Sequence, residues 1–475
     1  MKYLLTSLLI LMIIVSGILY TSEQNAIKEI PLSSIVHKPV DDYTYNVIKE
    51  ITSASYMGRL PGTAGNLKTV KFLVEQFKSL GLTPPTKYPD YLQSFQQDLM
   101  VVNSPAVLIT SRKTGEVTGE YNNLSDYNGL ALWPHTMIKG EVKAELVNVT
   151  SMEQLSRANK KIKNKVLLID KRLAYALQYD ARQAEGIVNK VKSLSGYIKA
   201  AIINFDNKRD GYFHVSKQMR RLNRGGKKLN NKNGPILMYC SNDAYPYLQE
   251  AAERGDSAYL KVDFSLEKCK SSNVIGIIEG TNQKSKKHLI VGAHLDHIGD
   301  NKDETYNPGA LDNASGIAGI LEIARTLLAK DERPEYDIIF IAFNGEEEYF
   351  AGSNHYVSNP LVSLDYTTML NFDMIGAKGA EYLEICYAGT NSIKLSEQIV
   401  NYTKNIGIAS RSSYILSSDH VTFTVCGVPS VMFKQLQEIQ RHHTMQDSYE
   451  LTIDINKHQE AVNAAVKFIT EEYYK

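Results

Sequence analysis

Cysteine is scarce in this sequence. The 475 residues include four cysteines, Cys240, Cys269, Cys386 and Cys426, and no two of them form a CxxC pair. Cysteine-ligated zinc sites need thiolates at close spacing, so a metal site of that kind is not expected. An exported chain can form disulfides, but widely separated cysteines in a large chain are more often single residues in the core. We therefore expect four single, buried cysteines.

An excess of charge of either sign is also absent. The chain has 53 lysines and arginines against 52 acids, a net charge of +1. This balance gives no reason to expect a nucleic acid partner. One segment is strongly basic, with nine lysines or arginines and a single acid between Lys208 and Lys232. It is typical of a solvated loop face, and a docking patch for a polyanion or a membrane is the alternative.

The start of the chain carries a long apolar run. One lysine precedes apolar residues from Tyr3 to Tyr20, and polar residues follow. This is the pattern of a secretory signal, although the run is also close to the length of a helix that spans a bilayer. Residues 1–26 are therefore predicted to be a signal peptide or an N-terminal anchor. Either alternative predicts export to the periplasm, the cell surface or the medium. Contact with the membrane is expected only if the N-terminal segment stays uncleaved.

From about residue 271 onward, apolar strand-like runs alternate with helical patterns. The strand-like runs are NVIGIIEG, HLIVGAH, YDIIFIAFN, TTMLNFDMIG, YLEICYAG and PSVMFK, and helices are predicted near 314–330, 349–358, 391–406 and 455–473. Nearly continuous apolar strands between helices predict an α/β fold whose sheet is covered on both faces. In such sheets the functional side chains collect at the carboxyl ends of the strands.

Five clusters of acids and histidines lie at such places. They are VGAHLDHIGD (291–300), NPGALDNASG (307–316), FNGEEEYFAGS (343–353), NFDMIG (371–376) and RHHTMQDSYE (441–450). Singly, most have plain explanations, since Asp312 before a helix resembles an N-cap and three glutamates resemble a solvated face. Asp373 is harder to explain, because an acid within an apolar strand needs a partner or a cation. Together the five clusters indicate a cation site.

The types of side chain narrow the choice of metal. Histidines and carboxylates without thiolates favour zinc, with manganese or cobalt as possible substitutes. If each cluster supplies one ligand, there are five, which is more than a single catalytic zinc with one position left for water needs. Two ions that share a bridging aspartate would use all five. A further carboxylate that is not a ligand would then move the proton.

The order HLD, LDNASG, GEEE, FD and HTMQD resembles the di-zinc exopeptidase family that includes bacterial leucyl aminopeptidases, aminopeptidase S and glutamate carboxypeptidase. The likeness covers about 270–475, and GRLPGTAGN with its helix resembles the family's N-terminal segment. It implies a mixed, mostly parallel central sheet flanked by helices, with an inserted, mainly β protease-associated domain. It also implies four segments: the signal or anchor at 1–26, the N-terminal part of the peptidase domain at 27–120, the insert at 121–262 and the catalytic part at 263–475.

The resemblance also implies roles for individual residues. Two Zn²⁺ ions per chain would be held by His294, Asp312, Glu347, Asp373 and His443, with Asp312 as the bridge. Glu346 would be the general base, and Asp296 would orient His294. His297 completes the motif without being a ligand. The Asp312–Asn313 peptide bond is expected to be cis, and a loop with Asp419 and His420 would line the cleft or support it.

The function implied is that of an exported metallo-aminopeptidase that removes N-terminal residues from peptides, using a zinc-bridged water with a glutamate base. A carboxypeptidase or dipeptidase of the glutamate carboxypeptidase type is the main alternative. A glutaminyl cyclase and a binding ectodomain without a working metal site share the architecture but do not need the full ligand set. A serine hydrolase is disfavoured because no GxSxG elbow is present. The residue preference and the oligomeric state stay open.

Overall fold

The computed structural model describes residues 42–120, 130–132, 140–170, 172–173, 186–204, 220–222, 234–240, 244–282, 284–300, 305–436 and 441–474. The segment 1–26 lies outside these ranges, as does most of the basic run 208–232, so the predictions made for them stay predictions. Within the ranges, no helix combines the length and the apolar character that a bilayer span requires.

The helices are α1 Asp42–Ile51, α2 Ala64–Leu80, α3 Gly186–Ser193, α4 Tyr245–Glu253, α5 Ser315–Leu328, α6 Ala351–Ser358, α7 Ile393–Asn405, α8 His420–Val425, α9 Tyr449–Thr452 and α10 Ile455–Tyr473. The strands are β1 Leu92–Thr110, β2 Val117–Glu120, β3 Leu130–Leu132, β4 Gly140–Val149, β5 Val166–Ile169, β6 Ala200–Asn204, β7 Arg220–Leu222, β8 Ile236–Cys240, β9 Ser257–Ile278, β10 His288–His294, β11 Ile338–Phe343, β12 Thr367–Phe372, β13 Leu383–Tyr387, β14 Ser410–Tyr414 and β15 Ser430–Lys434. The four helices predicted in the second half correspond to α5, α6, α7 and α10.

The central sheet has the strand order β14-β13-β15-β12-β10-β11-β9. Strands β11, β10, β12 and β15 run parallel to one another, and β14 is parallel to β13. Strands β9 and β13 are antiparallel to their neighbours β11 and β15. The predicted fold class, a mixed and mostly parallel α/β sheet with flanking helices, is therefore confirmed.

Apolar side chains cover both faces of this sheet. Along β10, Leu289, Val291 and Ala293 face a core shared with α2, α5, α7 and α10, while Ile290 faces the smaller core beneath α6 and α8. Successive side chains of a strand point to opposite faces, so a strand buried on both sides must be apolar throughout. Burial of each such side chain stabilises the fold by roughly 1.5–3 kcal/mol. Packing on both faces thus requires apolar residues in the middle of β10, whereas polar residues can occupy its carboxyl end.

A second sheet forms from the middle of the chain. Strands β4, β5, β6 and β8 are parallel, with β3 antiparallel to β8 at the edge. Helix α3 covers one face and α4 the other, each over its own apolar core. The two sheets are continuous through β9, whose first half pairs with β4 and whose last residues pair with β11. This segment therefore contains parallel strands and helices in addition to the β-structure expected of it.

The four cysteines form no disulfide bonds. Cys240 and Cys386 are buried and Cys269 is partly buried, whereas Cys426 is exposed. The expected burial is found for Cys240 and Cys386, whereas the exposure of Cys426 shows that this expectation was wrong for that residue. This residue follows helix α8 in a surface turn, where its backbone amide bonds to the carbonyls of Thr422 and Phe423.

Candidate metal centre

The predicted ligands lie at the carboxyl end of three adjacent parallel strands. Strand β10 ends at His294, β12 is followed directly by Asp373, and β11 is followed by the loop that carries Glu347. Since β10 lies between β11 and β12, the three strand ends meet at one edge of the sheet. Asp312 lies just before helix α5 and His443 in the loop before α9, and both reach the same edge.

The five side chains form two groups that share Asp312. In one group, Nε2 of His294 is 3.3 Å from Oδ1 of Asp312 and 3.5 Å from Oδ1 of Asp373. In the other, Nε2 of His443 is 2.9 Å from Oδ2 of Asp312 and 2.9 Å from Oε2 of Glu347. The two oxygens of Asp312 therefore face different groups. This is the arrangement that a carboxylate shared by two cations would have.

The donor set fits divalent cations. Nε2 of His294 and Oδ1 of Asp373 are buried and, although 3.5 Å apart, neither makes a hydrogen bond of good geometry with the described residues. Buried polar atoms without partners are rare and need an explanation, and a bound ion is one. Burial alone would raise the pKa of Asp312. The neighbouring His294 and His443 outweigh this effect and hold the pKa well below its usual value. The buried carboxylates of Asp312 and Asp373 and the partly buried carboxylate of Glu347, with two imidazoles, match the nitrogen and oxygen ligands of zinc.

Glu346 lies beside the first group. One of its carboxylate oxygens, a ring nitrogen of His294 and a carboxylate oxygen of Asp373 all lie within 4.8 Å of one another. Burial raises the pKa of Glu346 well above its usual value, and the negative charges of Glu347 and Asp373 raise it further. A carboxylate with a raised pKa accepts a proton more readily than an ordinary glutamate. Glu346 thus has the properties of a proton carrier.

Asp296 supports the loop after β11 that carries Glu346 and Glu347. Its Oδ1 accepts a hydrogen bond from the amide of Glu346 at 3.1 Å, and its Oδ2 accepts one from the amide of Glu347 at 3.2 Å. Nδ1 of His294 is 3.3 Å from the main-chain oxygen of Asp296 and 3.7 Å from its carboxylate. Asp296 therefore links the histidine of the first group to the loop that carries both glutamates.

The segment around Asp312 is held from two sides. Asp447 accepts hydrogen bonds from the amides of Leu311 at 2.8 Å and Asp312 at 3.0 Å. The side chain of Asn313 donates to the carbonyl of Phe372 at 2.8 Å and accepts from the amide of Met374 at 3.2 Å. Asn313 thus ties Asp312 to the end of β12, where Asp373 lies. The Asp312–Asn313 peptide bond is cis, as predicted.

Arg59 lies behind the centre and is fully buried. Its guanidinium donates to four main-chain carbonyls, those of Leu295 (3.0 Å), Ile51 (3.0 Å), Pro308 (2.6 Å) and Gly309 (3.0 Å). Burial lowers its pKa to about 10, and the charges of nearby acids oppose this shift, so it stays charged at neutral pH. It joins the loop after His294 to the loop before Asp312. The sequence reasoning missed this residue, although it lies in the quoted GRLPGTAGN segment.

Replacement of Arg59 by lysine is expected to lower the free energy of unfolding. Lysine keeps the charge but cannot reach four separate carbonyls, and each buried group left unpaired costs about 1–3 kcal/mol. We expect a loss of about 3 kcal/mol for Arg59→Lys in urea unfolding followed by circular dichroism. The exposed Arg333 also donates to a carbonyl, that of Glu279 at 2.8 Å, so Arg333→Lys is the matched control. Equal stability of the two variants would contradict this role.

The remaining predicted residues take supporting positions. His443 lies with Asp312 and Glu347, as the motif spacing implies, rather than His442. Asp419 is fully buried and accepts a hydrogen bond from the hydroxyl of Ser353 at 2.5 Å. His420 is also fully buried. Of the two roles open to Asp419 and His420, their burial favours support of the cleft.

Parts of this chain resemble a known protein family and several known proteins. Residues 273–469 match peptidase family M28. Aminopeptidase YwaD of Bacillus subtilis is 34% identical over 191 residues, which are 38% of this chain and 40% of that protein. A structure of an aminopeptidase from Aneurinibacillus sp. strain AM-1 superimposes with a TM-score of 0.62 at 22% identity, over 91% of this chain and 93% of that one. The zinc aminopeptidase BSAP of B. subtilis also gives a TM-score of 0.62 at 22% identity, over 91% and 95% of the two chains.

The structural matches show that this chain shares its fold with these two aminopeptidase structures. The family comparison adds that residues 273–469 match the model of peptidase family M28. The resemblance inferred from the five motifs is thereby confirmed for this part of the chain. The sequence likeness is partial, since the chain spans about 40% of the length of YwaD.

Proposed function

We propose that this protein is an exported zinc aminopeptidase that removes residues one at a time from the free N-termini of peptides. The observation that carries the proposal is the convergence of His294, Asp312, Glu347, Asp373 and His443, with Glu346 beside them. The match of residues 273–469 to peptidase family M28 supports the same reaction class, as does the likeness to aminopeptidase YwaD. A second candidate function has no observation of its own in its favour.

Two zinc ions are the proposed cofactor. His294 and Asp373 would hold one ion and Glu347 and His443 the other, with one oxygen of Asp312 facing each. When bound, zinc supplies Lewis acidity that polarises the scissile carbonyl and acidifies water. The name of the zinc aminopeptidase BSAP supports the choice of metal. The division of the two oxygens of Asp312 supports the number of ions.

The side chains around the ions have distinct proposed roles. Glu346 takes a proton from the attacking water at its carboxylate and returns it to the nitrogen of the leaving amine. Asp296 keeps Glu346 and Glu347 in place through their amides. Asp447 and Asn313 fix the direction of Asp312. Because these supports are buried and hydrogen-bonded, the reacting groups are held ready before the substrate arrives.

The remaining assignments are part of the same proposal. Residues 1–26 would direct export, 27–120 and 263–475 would form the peptidase domain, and 121–262 would be a protease-associated insert. The parallel strands β4, β5, β6 and β8 have apolar cores of their own beneath α3 and α4, which supports an insert with its own packing. Export has independent support from the likeness to the probable lipoprotein aminopeptidase LpqL of Mycobacterium tuberculosis, 29% identical over 193 residues.

Incubation with a heptapeptide that has two free ends tests the activity directly. We expect successive loss of residues from the N-terminus in mass spectra taken over time. Treatment with a chelator should stop the reaction, and added zinc should restore it. Loss from the C-terminus would instead identify a carboxypeptidase at the same centre. A peptide that stays intact in zinc-loaded samples would contradict the proposal.

A further inference from the structure

His297 has no ligand role in the proposed centre, yet it lies against it. Its side chain is fully buried, and its Nδ1 is 2.8 Å from Oε1 of Glu347. The ring centroid is 5.5 Å from that of His443. Nε2 of His297 has no hydrogen-bond partner among the described residues. The contact with Glu347 is therefore the polar interaction that fixes this ring.

The two oxygens of Glu347 have different partners. Oε2 is 2.9 Å from Nε2 of His443 and belongs to the second ligand group, whereas Oε1 lies at hydrogen-bond distance from His297. The two oxygens of a carboxylate are joined rigidly through one carbon. A hydrogen bond to one of them therefore also fixes the direction of the other. The terminal torsion of a glutamate is otherwise broad, so without this donor several orientations would be populated.

The ring of His297 is itself held firmly. A Cβ atom placed on Gly309 would lie 2.6 Å from Cγ and Cδ2 of His297, and Gly309 has a φ of +62°. Glycine is therefore needed there both for the backbone conformation and for the space that the ring occupies. The carbonyl of Gly309 accepts from Arg59. The imidazole thus packs against a backbone segment that Arg59 fixes.

We propose that His297 is a positioning residue that donates from Nδ1 to Oε1 of Glu347 and so directs Oε2 toward the ion shared with His443 and Asp312. This inference rests on the proposed zinc centre, and it adds His297 to the residues that hold the ligands in place. Hydrogen-bond partners of metal ligands typically contribute 10–100-fold to metal affinity. Loss of the donor should therefore weaken one of the two zinc ions and leave the ion at His294 and Asp373 largely unaffected.

Zinc titration of three variants of the full chain, in competition with a chelating dye, tests this proposal. Asparagine and leucine have nearly the same shape, but asparagine keeps an N–H donor close to the position of Nδ1. His297→Leu should bind one zinc about 10–100-fold more weakly, while His297→Asn should stay close to the wild type. His288 lies at the opposite end of strand β10, so His288→Leu is the matched control and should bind both ions normally. His297→Met, which also lacks a donor, replaces the leucine variant if that does not fold.

The possible results separate the two proposals. Normal binding of both ions by His297→Leu would overturn the positioning role and leave the zinc centre intact. Equal weakening by the asparagine and leucine variants would also overturn it, because the donor would then not be the cause. A wild-type chain that binds no zinc at all would overturn the proposed function, and the role of His297 with it.

Discussion

Replacement of Glu346 by glutamine is expected to abolish peptide hydrolysis and to leave zinc binding intact. Glutamine has nearly the same size but cannot accept a proton. Proton transfer by a positioned side chain typically contributes 10²–10⁴-fold to the rate, so we expect kcat to fall by about 10³-fold. The measurement is release of the N-terminal residue from a short peptide, with zinc content determined on the same sample.

The neighbouring Glu347 provides the matched control. Its Oε2 lies 2.9 Å from His443 in the second ligand group, so Glu347→Gln should lose zinc affinity and activity together. The two variants differ by one position in the chain and carry the same chemical change. Retained activity in Glu346→Gln would contradict its role as the base. Loss of zinc from Glu346→Gln would place it among the ligands, a result that its closeness to His294 and Asp373 makes worth measuring.

The candidate ligands come from rigid elements with clear sequence patterns, so their approximate positions in the fold could be predicted. His294 and Asp373 follow apolar strands whose buried runs define where each strand ends. Parallel neighbours then bring the two ends together without any further assumption. Helices α5, α7 and α10 have periodic apolar positions, and these helices and α6 are found close to where the sequence predicts them. The patterns alone therefore predicted a cation site at the ends of these elements, whereas the roles of the individual residues came from the family resemblance.

The residues that the sequence did not reveal act across long distances in the chain. Arg59 contacts the loops at Leu295 and Pro308 more than 200 positions away, and no local pattern marks such a contact. Asn313 and His297 lie inside the motifs, but their partners Phe372 and Glu347 depend on how the loops pack. Strand β14 was also missed, since SRSSY is polar and partly exposed at the sheet edge. Tertiary packing decides all of these features.

Asp312 is the ligand whose replacement should affect the centre most. Its Oδ1 lies 3.3 Å from His294 and its Oδ2 lies 2.9 Å from His443, so both groups depend on it. In Asp312→Asn one oxygen becomes an NH₂ group, which cannot bind a cation, and the negative charge is lost. Lewis-acid stabilisation is worth several kcal/mol, which corresponds to a loss of roughly 10³-fold or more in the rate.

Zinc content and stability distinguish Asp312 from the other ligands. Asp373 belongs to one group, so Asp373→Asn should weaken one ion, whereas Asp312→Asn should weaken both. Zinc that binds the folded chain stabilises it by about 4 kcal/mol at a concentration 1,000 times the dissociation constant. The wild type should gain this stability on addition of zinc and Asp312→Asn should not. If Asp312→Asn kept two tightly bound ions, the centre would not be bridged by this carboxylate, because a shared ligand cannot be removed without weakening both of the ions that it holds.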